Sequence, residues 1–76
     1  MNNTRRKQLK AILAKMEDLR ADLESIKDEE EECRDSMPEN LWNSERYERA
    51  EEACSNLDDA CSNLDDVLQY IESAME

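Results

Sequence analysis

The chain has 76 residues with no glycine and one proline, and 41% of its side chains are charged. This size allows one domain with a small core, and the composition favours long helices over β-sheet. The net charge of −11 repels nucleic-acid phosphates and anionic lipid headgroups, so it argues against direct binding of nucleic acid or membranes and favours a basic protein as partner.

The N-terminal segment MNNTRRKQLKAILAKM begins with basic residues, as a signal peptide does. Lys15 and Glu17 interrupt its apolar run, which is too short for the core of a signal peptide. No segment approaches the roughly 20 apolar residues of a membrane span. Three cysteines, an odd number, suit a reducing compartment better than a disulfide framework. We therefore expect a cytoplasmic protein.

The first predicted element is a helix over residues 3–35. Large apolar residues recur in it at alternating spacings of three and four, which places them at positions a and d of a heptad repeat: Leu9, Ile12, Met16, Leu19, Leu23 and Ile26. The count continues to Glu30 at position a, where a polar residue can fix the register. The acidic run at 28–32 matches neither a calcium-binding loop nor a di-iron motif, so it is interpreted as solvated surface.

Residues 36–43 form the predicted connection. Pro38 cannot continue a helix interior, so the first helix should end near Asp35. Asn43 or Ser44 can cap the helix that follows. Trp42 is expected either to cover the end of the molecule or to contact a partner, with local cover the favoured role.

The second predicted helix covers residues 44–75 and contains ACSNLDDACSNLDD, a seven-residue sequence written twice. The repeat length is the heptad, and each copy supplies one cysteine at position a, one leucine at d and one alanine at g. A thiol buried in such a seam is inert, and the chain has no histidine to activate it. No catalytic residue, no cofactor and no metal ligand are predicted.

A short connection makes the two helices antiparallel, and their e positions are mostly basic in the first helix and acidic in the second. Two registers are open, with either Ile26 or Cys33 facing Cys54, and the first is preferred because it uses every apolar layer. That register also lets Arg20 reach Asp58, and it lets Arg6 reach Glu72 in the same way.

The predicted fold is therefore all-α: an antiparallel two-helix hairpin in one domain, residues 1–76. Small residues at position g widen the apolar face of the second helix beyond what one neighbour covers; they are Ala53, Ala60, Val67 and Ala74. We expect two hairpins to dimerise into a four-helix bundle.

Four segments, RRKQL near the start, MPEN, SERYERAEEA and the final YIE, resemble those of small acidic helical-hairpin proteins. Those proteins are encoded by gut Firmicutes and by their phages and mobile elements. The resemblance covers nearly the whole chain and implies an all-helical cytoplasmic protein of bacterial or phage origin. It implies no activity and transfers no site residues.

The leading functional hypothesis is a non-enzymatic protein-protein interaction module that acts as a small acidic homodimer. The residues predicted to bind its partner are two aromatic anchors and four surrounding carboxylates: Trp42, Tyr47, Glu29, Glu31, Glu48 and Glu52. One alternative is a DNA-mimicking inhibitor of a basic nucleic-acid-binding protein, derived from a phage or mobile element. A purely structural oligomerisation piece and a metal buffer are the other two.

Overall fold

The computed structural model describes residues 1–76 as two long helices joined by a short connection. Helix α1 spans Asn3–Asp35, a single 3₁₀ turn spans Glu39–Leu41, and helix α2 spans Glu45–Ala74. The helices pack antiparallel along a molecule that measures 59 × 15 × 13 Å. The predicted all-helical hairpin is confirmed, and the predicted helix bounds of 3–35 and 44–75 differ from the observed ones by at most one residue.

Each helix begins at a side-chain cap. The side chain of Asn2 accepts a hydrogen bond from the Arg5 amide at 2.8 Å, and Ser44 Oγ accepts one from the Tyr47 amide at 3.2 Å. These bonds satisfy amide groups that have no partner within the helix. The backbone is extended at Pro38, with ψ of 147°, so α1 ends before this residue.

Trp42 holds the connection against the start of α2. Its indole Nε1 donates a hydrogen bond to the Met37 carbonyl at 3.0 Å. Its ring stacks on Tyr47, with ring centroids 6.0 Å apart. The side chain therefore covers the end of the hairpin locally, although 44% of its surface stays exposed.

The two helices use their heptad positions differently. Helix α2 turns positions a and d towards α1, and it buries Ala50, Cys54 and Cys61 there. Helix α1 instead turns positions a and e towards α2, and Leu13 at position e is its one buried residue. The d residues of α1 point to solvent, so the prediction that these side chains form layers of the hairpin core is wrong for three of them: Ile12, Leu19 and Ile26.

Ion pairs between the helices explain why α1 is rotated so that its position e, instead of its position d, faces α2. Arg20 Nη2 donates to Asp65 Oδ2 at 3.1 Å, and Lys27 Nζ donates to Asp58 Oδ1 at 3.4 Å. The Arg20 and Lys27 side chains are only 28% and 16% exposed, because their aliphatic stems lie over α2 while their charged ends reach its acidic edge. Cysteine and alanine in the facing helix leave room for these stems.

Along their length the helices are aligned as in the second register, one heptad from the preferred one, but the rotation of α1 turns Cys33 away from Cys54. In both ion pairs between the helices the residue numbers add up to 85. Ile26 and Cys33 are exposed whereas Cys54 is buried, so neither of them faces it in a packed layer.

The ion pairs expected from the preferred register are wrong as well. Asp58 pairs with Lys27, one heptad along α1 from Arg20. Arg6 donates to the Met75 carbonyl at 3.0 Å, and no bond joins it to Glu72.

Candidate protein interaction surface

One side of α1 exposes a row of large aliphatic side chains, which we call the α1 stripe: Ile12, Leu19 and Ile26. Their exposed fractions are 44%, 60% and 53%. Aliphatic side chains covered by a partner are stabilised by about 25 cal/mol for each Å² removed from water. Spaced seven residues apart on one helix, they lie in one row along a single side of the hairpin and are not scattered over its surface.

The small g residues of α2 lie on the same side of the hairpin as the α1 stripe. Two residues show this at the connection end, because they line one shallow depression between the helices: Cys33, which continues the stripe by one heptad, and Ala53, the first of the g residues. Because both rows repeat every seven residues, they run side by side along the molecule as far as Val67, which is 40% exposed. We call these two rows together the apolar face: the α1 stripe with Ala53, Ala60, Val67 and Ala74.

The hairpin exposes more surface than a globular protein of its mass. Its accessible surface is 5853 Å², whereas a protein of 8.9 kDa is expected to expose about 4,800 Å². Four residues are buried, and just one of them, Leu13, has a large side chain. Two helices alone therefore enclose little core.

At its connection end the apolar face runs into a hollow with an apolar floor and a charged rim. The floor consists of Cys33, Met37, Pro38 and Leu41. The rim consists of Glu29, Glu32, Ser36 and Arg46. An apolar anchor with a neighbouring positive charge would find complementary chemistry here.

The predicted partner-binding residues do not form one surface. Trp42 and Tyr47 are stacked, but Tyr47 is half-buried. Glu29 borders the hollow, whereas Glu31 lies on the other side of the hairpin in a groove with Arg34 and Asp58.

The last two predicted carboxylates, Glu48 and Glu52, are exposed one turn apart on α2 and line none of these concavities. The α1 stripe was absent from the predicted set, because its residues had been assigned to the core.

The acidic charge is concentrated in the half of the hairpin that contains the connection. Residues 21–63, the loop half, hold fifteen acidic and four basic side chains, a net charge of −11. Residues 1–20 and 64–76, the terminal half, hold six acidic and six basic side chains and are neutral. The Arg20–Asp65 pair marks the level at which the two halves meet.

The cysteines differ in access and acidity. Cys33 is exposed, whereas Cys54 and Cys61 are buried, and all three are free thiols. Burial raises the pKa of the Cys54 thiol; nearby Arg34 opposes this rise and the Glu30 carboxylate adds to it. A thiol with a raised pKa is a poor nucleophile at neutral pH. No group of three or more cysteine and carboxylate side chains is placed to hold a metal ion.

No known protein family matches the chain, and no curated protein or solved structure is similar to it. Neither helix contains a segment that is both long enough and apolar enough to cross a membrane.

Proposed function

We propose that this protein is a non-enzymatic helical module that works by protein-protein interaction as an acidic homodimer. The observation that carries the proposal is the apolar face, in which three large aliphatic side chains of α1 are 44–60% exposed beside a row of small residues of α2. A second hairpin of the same chain covers this face and completes a four-helix bundle.

The amount of exposed surface fits this occupant. The hairpin exposes about 1,000 Å² more than expected for its mass, and a standard stable interface buries about 800 Å² on each partner. The rows also have a suitable shape, because small residues beside large ones let helices approach closely.

The loop half is the surface offered to a further protein. Its net charge of −11 attracts basic surfaces, and the hollow at 29–41 supplies an apolar floor next to these charges. Trp42 lies at the same end with 44% of its surface exposed. A basic protein that inserts an apolar side chain is the partner that this chemistry favours, and the free thiols support a reducing cytoplasm as the proposed location.

Sedimentation velocity with a matched pair of variants tests the dimer. Leu19→Glu places a charge in the middle of the α1 stripe and should leave only monomer at concentrations where the wild type is dimeric. Ala21→Glu adds the same charge to an exposed position on another side of α1 and should dimerise nearly like the wild type. A monomeric wild type at millimolar concentration would refute the proposal, as would equal effects of the two variants.

The charge of the loop half also favours a second candidate, a DNA-mimicking inhibitor encoded by a phage or mobile element. Helical rows of carboxylates would occupy the basic cleft of a nucleic-acid-binding protein. The test is capture of one such protein from a bacterial lysate, followed by elution with salt or with added DNA. Release by both supports mimicry, and a bound protein that neither of them displaces removes this candidate.

A further inference from the structure

The arrangement of the two hairpins can be inferred, on the premise that the proposed homodimer forms through the apolar face. Two arrangements with two-fold symmetry cover that face. In one, α1 packs on α2 of the partner subunit and both connections lie at the same end. In the other, like helices pack on each other and the connections lie at opposite ends. We propose the second arrangement. We call it the head-to-tail dimer, because its two hairpins point in opposite directions about a two-fold axis that passes next to Leu19.

The α1 stripe is symmetric about its middle residue, as this arrangement requires. When α1 packs antiparallel on its copy, Leu19 meets Leu19 of the partner subunit, and Ile12 meets Ile26 of the partner subunit. On α2 the corresponding centre is Val67, with Ala60 opposite Ala74 of the partner subunit. The two centres lie within about one residue of the same height along the hairpin, because Arg20 pairs with Asp65. One two-fold axis therefore serves both helices.

The polar residues that border the α1 stripe are complementary in this arrangement. Position g of α1 holds Lys15 and Asp22, each next to the stripe on its solvent side. In the head-to-tail dimer Lys15 lies opposite Asp22 of the partner subunit, and symmetry repeats the pair. In the alternative dimer, the observed register places Lys15 opposite Tyr70 of the partner subunit and gains no ion pair.

The segregation of charge leads to the same arrangement. With the connections at one end, two loop halves of −11 each would lie side by side, within the roughly 10 Å over which charges interact at moderate salt. Head-to-tail packing moves these halves to opposite ends of the bundle and sets each against a neutral terminal half. Repulsion between the subunits is lower as a result.

A charge-swap cycle read by sedimentation equilibrium tests the paired flanks. The variants are Lys15→Glu, Asp22→Lys and the double variant, which keeps the net charge of the wild type. Lys15 and Asp22 are seven residues apart, about 10 Å along the helix, so they are not neighbours within one chain. In the head-to-tail dimer the double variant binds about three- to thirty-fold more tightly than the two single effects combined would give. Purely additive effects would overturn the arrangement.

A spin label on the exposed thiol of Cys33 measures the geometry directly. Head-to-tail packing places the two Cys33 residues about 42 Å apart along the bundle. The alternative places them at the same height on diagonal helices, within about 20 Å. The variant Cys33→Ser serves as control, since it should take up no label at the buried Cys54 and Cys61.

The outcomes of the labelling experiment separate the two proposals. A dimer with the long distance supports the head-to-tail arrangement. A dimer with the short distance overturns the arrangement and leaves the proposed function standing. A monomer at every concentration, for both labelled and unlabelled protein, overturns the proposed function together with the arrangement.

Discussion

Arg20 has more charged partners than any other side chain in the hairpin. Its guanidinium donates to Asp65 on the other helix and to Glu24 one turn further along α1. Both carboxylates raise the pKa of Arg20, with Asp65 contributing most, and partial burial opposes this rise. At the residue scale, this side chain and Lys27 determine which edge of α1 faces the acidic edge of α2.

A charge-reversal cycle should therefore couple Arg20 to Asp65. We expect Arg20→Glu and Asp65→Arg each to lower the melting temperature by a few degrees, because like charges then face each other across the helices. The double variant should recover part of that loss. Thermal unfolding followed by circular dichroism measures the effect, and the matched cycle of Arg20 with Asp58 should show no coupling. Coupling to Asp58 instead would mean that the register is shifted by one heptad.

Cys54 should make the stability depend on pH under alkaline conditions. Burial raises its pKa above the ordinary value of 9.0, so the folded protein keeps this proton at a pH where the unfolded chain has lost it. The contribution is complete below pH 9.0 and is lost as the pH rises through the raised pKa, so the free energy of unfolding falls. Urea titrations at pH 8 and pH 10 should show a smaller fall for Cys54→Ala than for the wild type.

The exposed thiol provides the control for this experiment. The free energy of unfolding of Cys33→Ala should fall as steeply as that of the wild type between the two pH values, because this variant keeps the buried thiol of Cys54. Equal curves for Cys54→Ala and Cys33→Ala would show that burial of Cys54 has no role in the alkaline loss of stability.

At the scale of the elements, α1 is a helix with an apolar band wider than one neighbour covers. Its apolar band consists of positions a and d, whereas positions a and e contact α2 and position e is basic except at Leu13. The contact with α2 therefore covers position a and leaves position d exposed, and an apolar position left uncovered by one neighbour is typical of a helix that packs on a second one, as in a four-helix bundle. The rotation of α1 therefore leaves its d positions exposed on the side where a second helix would pack.

Substitutions at two adjacent residues of α1 should show which heptad position is buried against α2 and which is exposed. Leu13→Ala should lower the free energy of unfolding by about 2–3 kcal/mol, because Leu13 is buried against α2 and its loss leaves a cavity. Ile12→Ala should cost clearly less at concentrations where the protein is monomeric, because Ile12 is 44% exposed. Urea denaturation of dilute protein measures both. A larger loss for Ile12→Ala than for Leu13→Ala would show that position d, and not position e, faces α2.

At the scale of the whole molecule, charge is distributed unevenly along the long axis. The loop half carries −11 and the terminal half is neutral, although the two halves have the same fold. Fifteen carboxylates within one half repel each other, and only four basic side chains oppose them. This excess destabilises the folded hairpin at low salt, and under the proposed function it attracts a basic partner.

Salt should therefore stabilise the protein. Raising sodium chloride from about 20 mM to about 500 mM should increase the melting temperature, because screening weakens the repulsion in the loop half more than it weakens the few exposed ion pairs. Four glutamate-to-glutamine changes in the loop half should reduce this increase: Glu29, Glu32, Glu48 and Glu52.

Four amide substitutions in the terminal half, at Glu17, Asp18, Asp66 and Glu76, are the matched control. They change the net charge equally, but they leave the loop half intact and should keep the salt effect. Equal behaviour of the two quadruple variants would show that total charge matters and its position does not.

The sequence by itself determined the helices, their ends and their antiparallel pairing. The heptad spacing, the proline at 38 and the cap at Ser44 act on local backbone conformation, and a short connection leaves two long helices only one way to pack. The basic and acidic e positions correctly indicated which edges attract each other. These features depend on neighbours in the chain, so they can be read without knowledge of the fold.

Only the tertiary structure decided how α1 is turned about its own axis and which of its apolar residues stay exposed. A heptad pattern identifies the residues that share a band, but positions a and d and positions a and e are both adjacent pairs on the helix. The choice between them depends on the facing side chains: small residues in α2 admit the stems of Arg20 and Lys27, and its carboxylates bind their charged ends. Burying Ile12, Leu19 and Ile26 against α2 and pairing the basic edge with α2 require different rotations of α1, and the contacts between the two helices favour the second. The same three residues are therefore exposed and do not form a core.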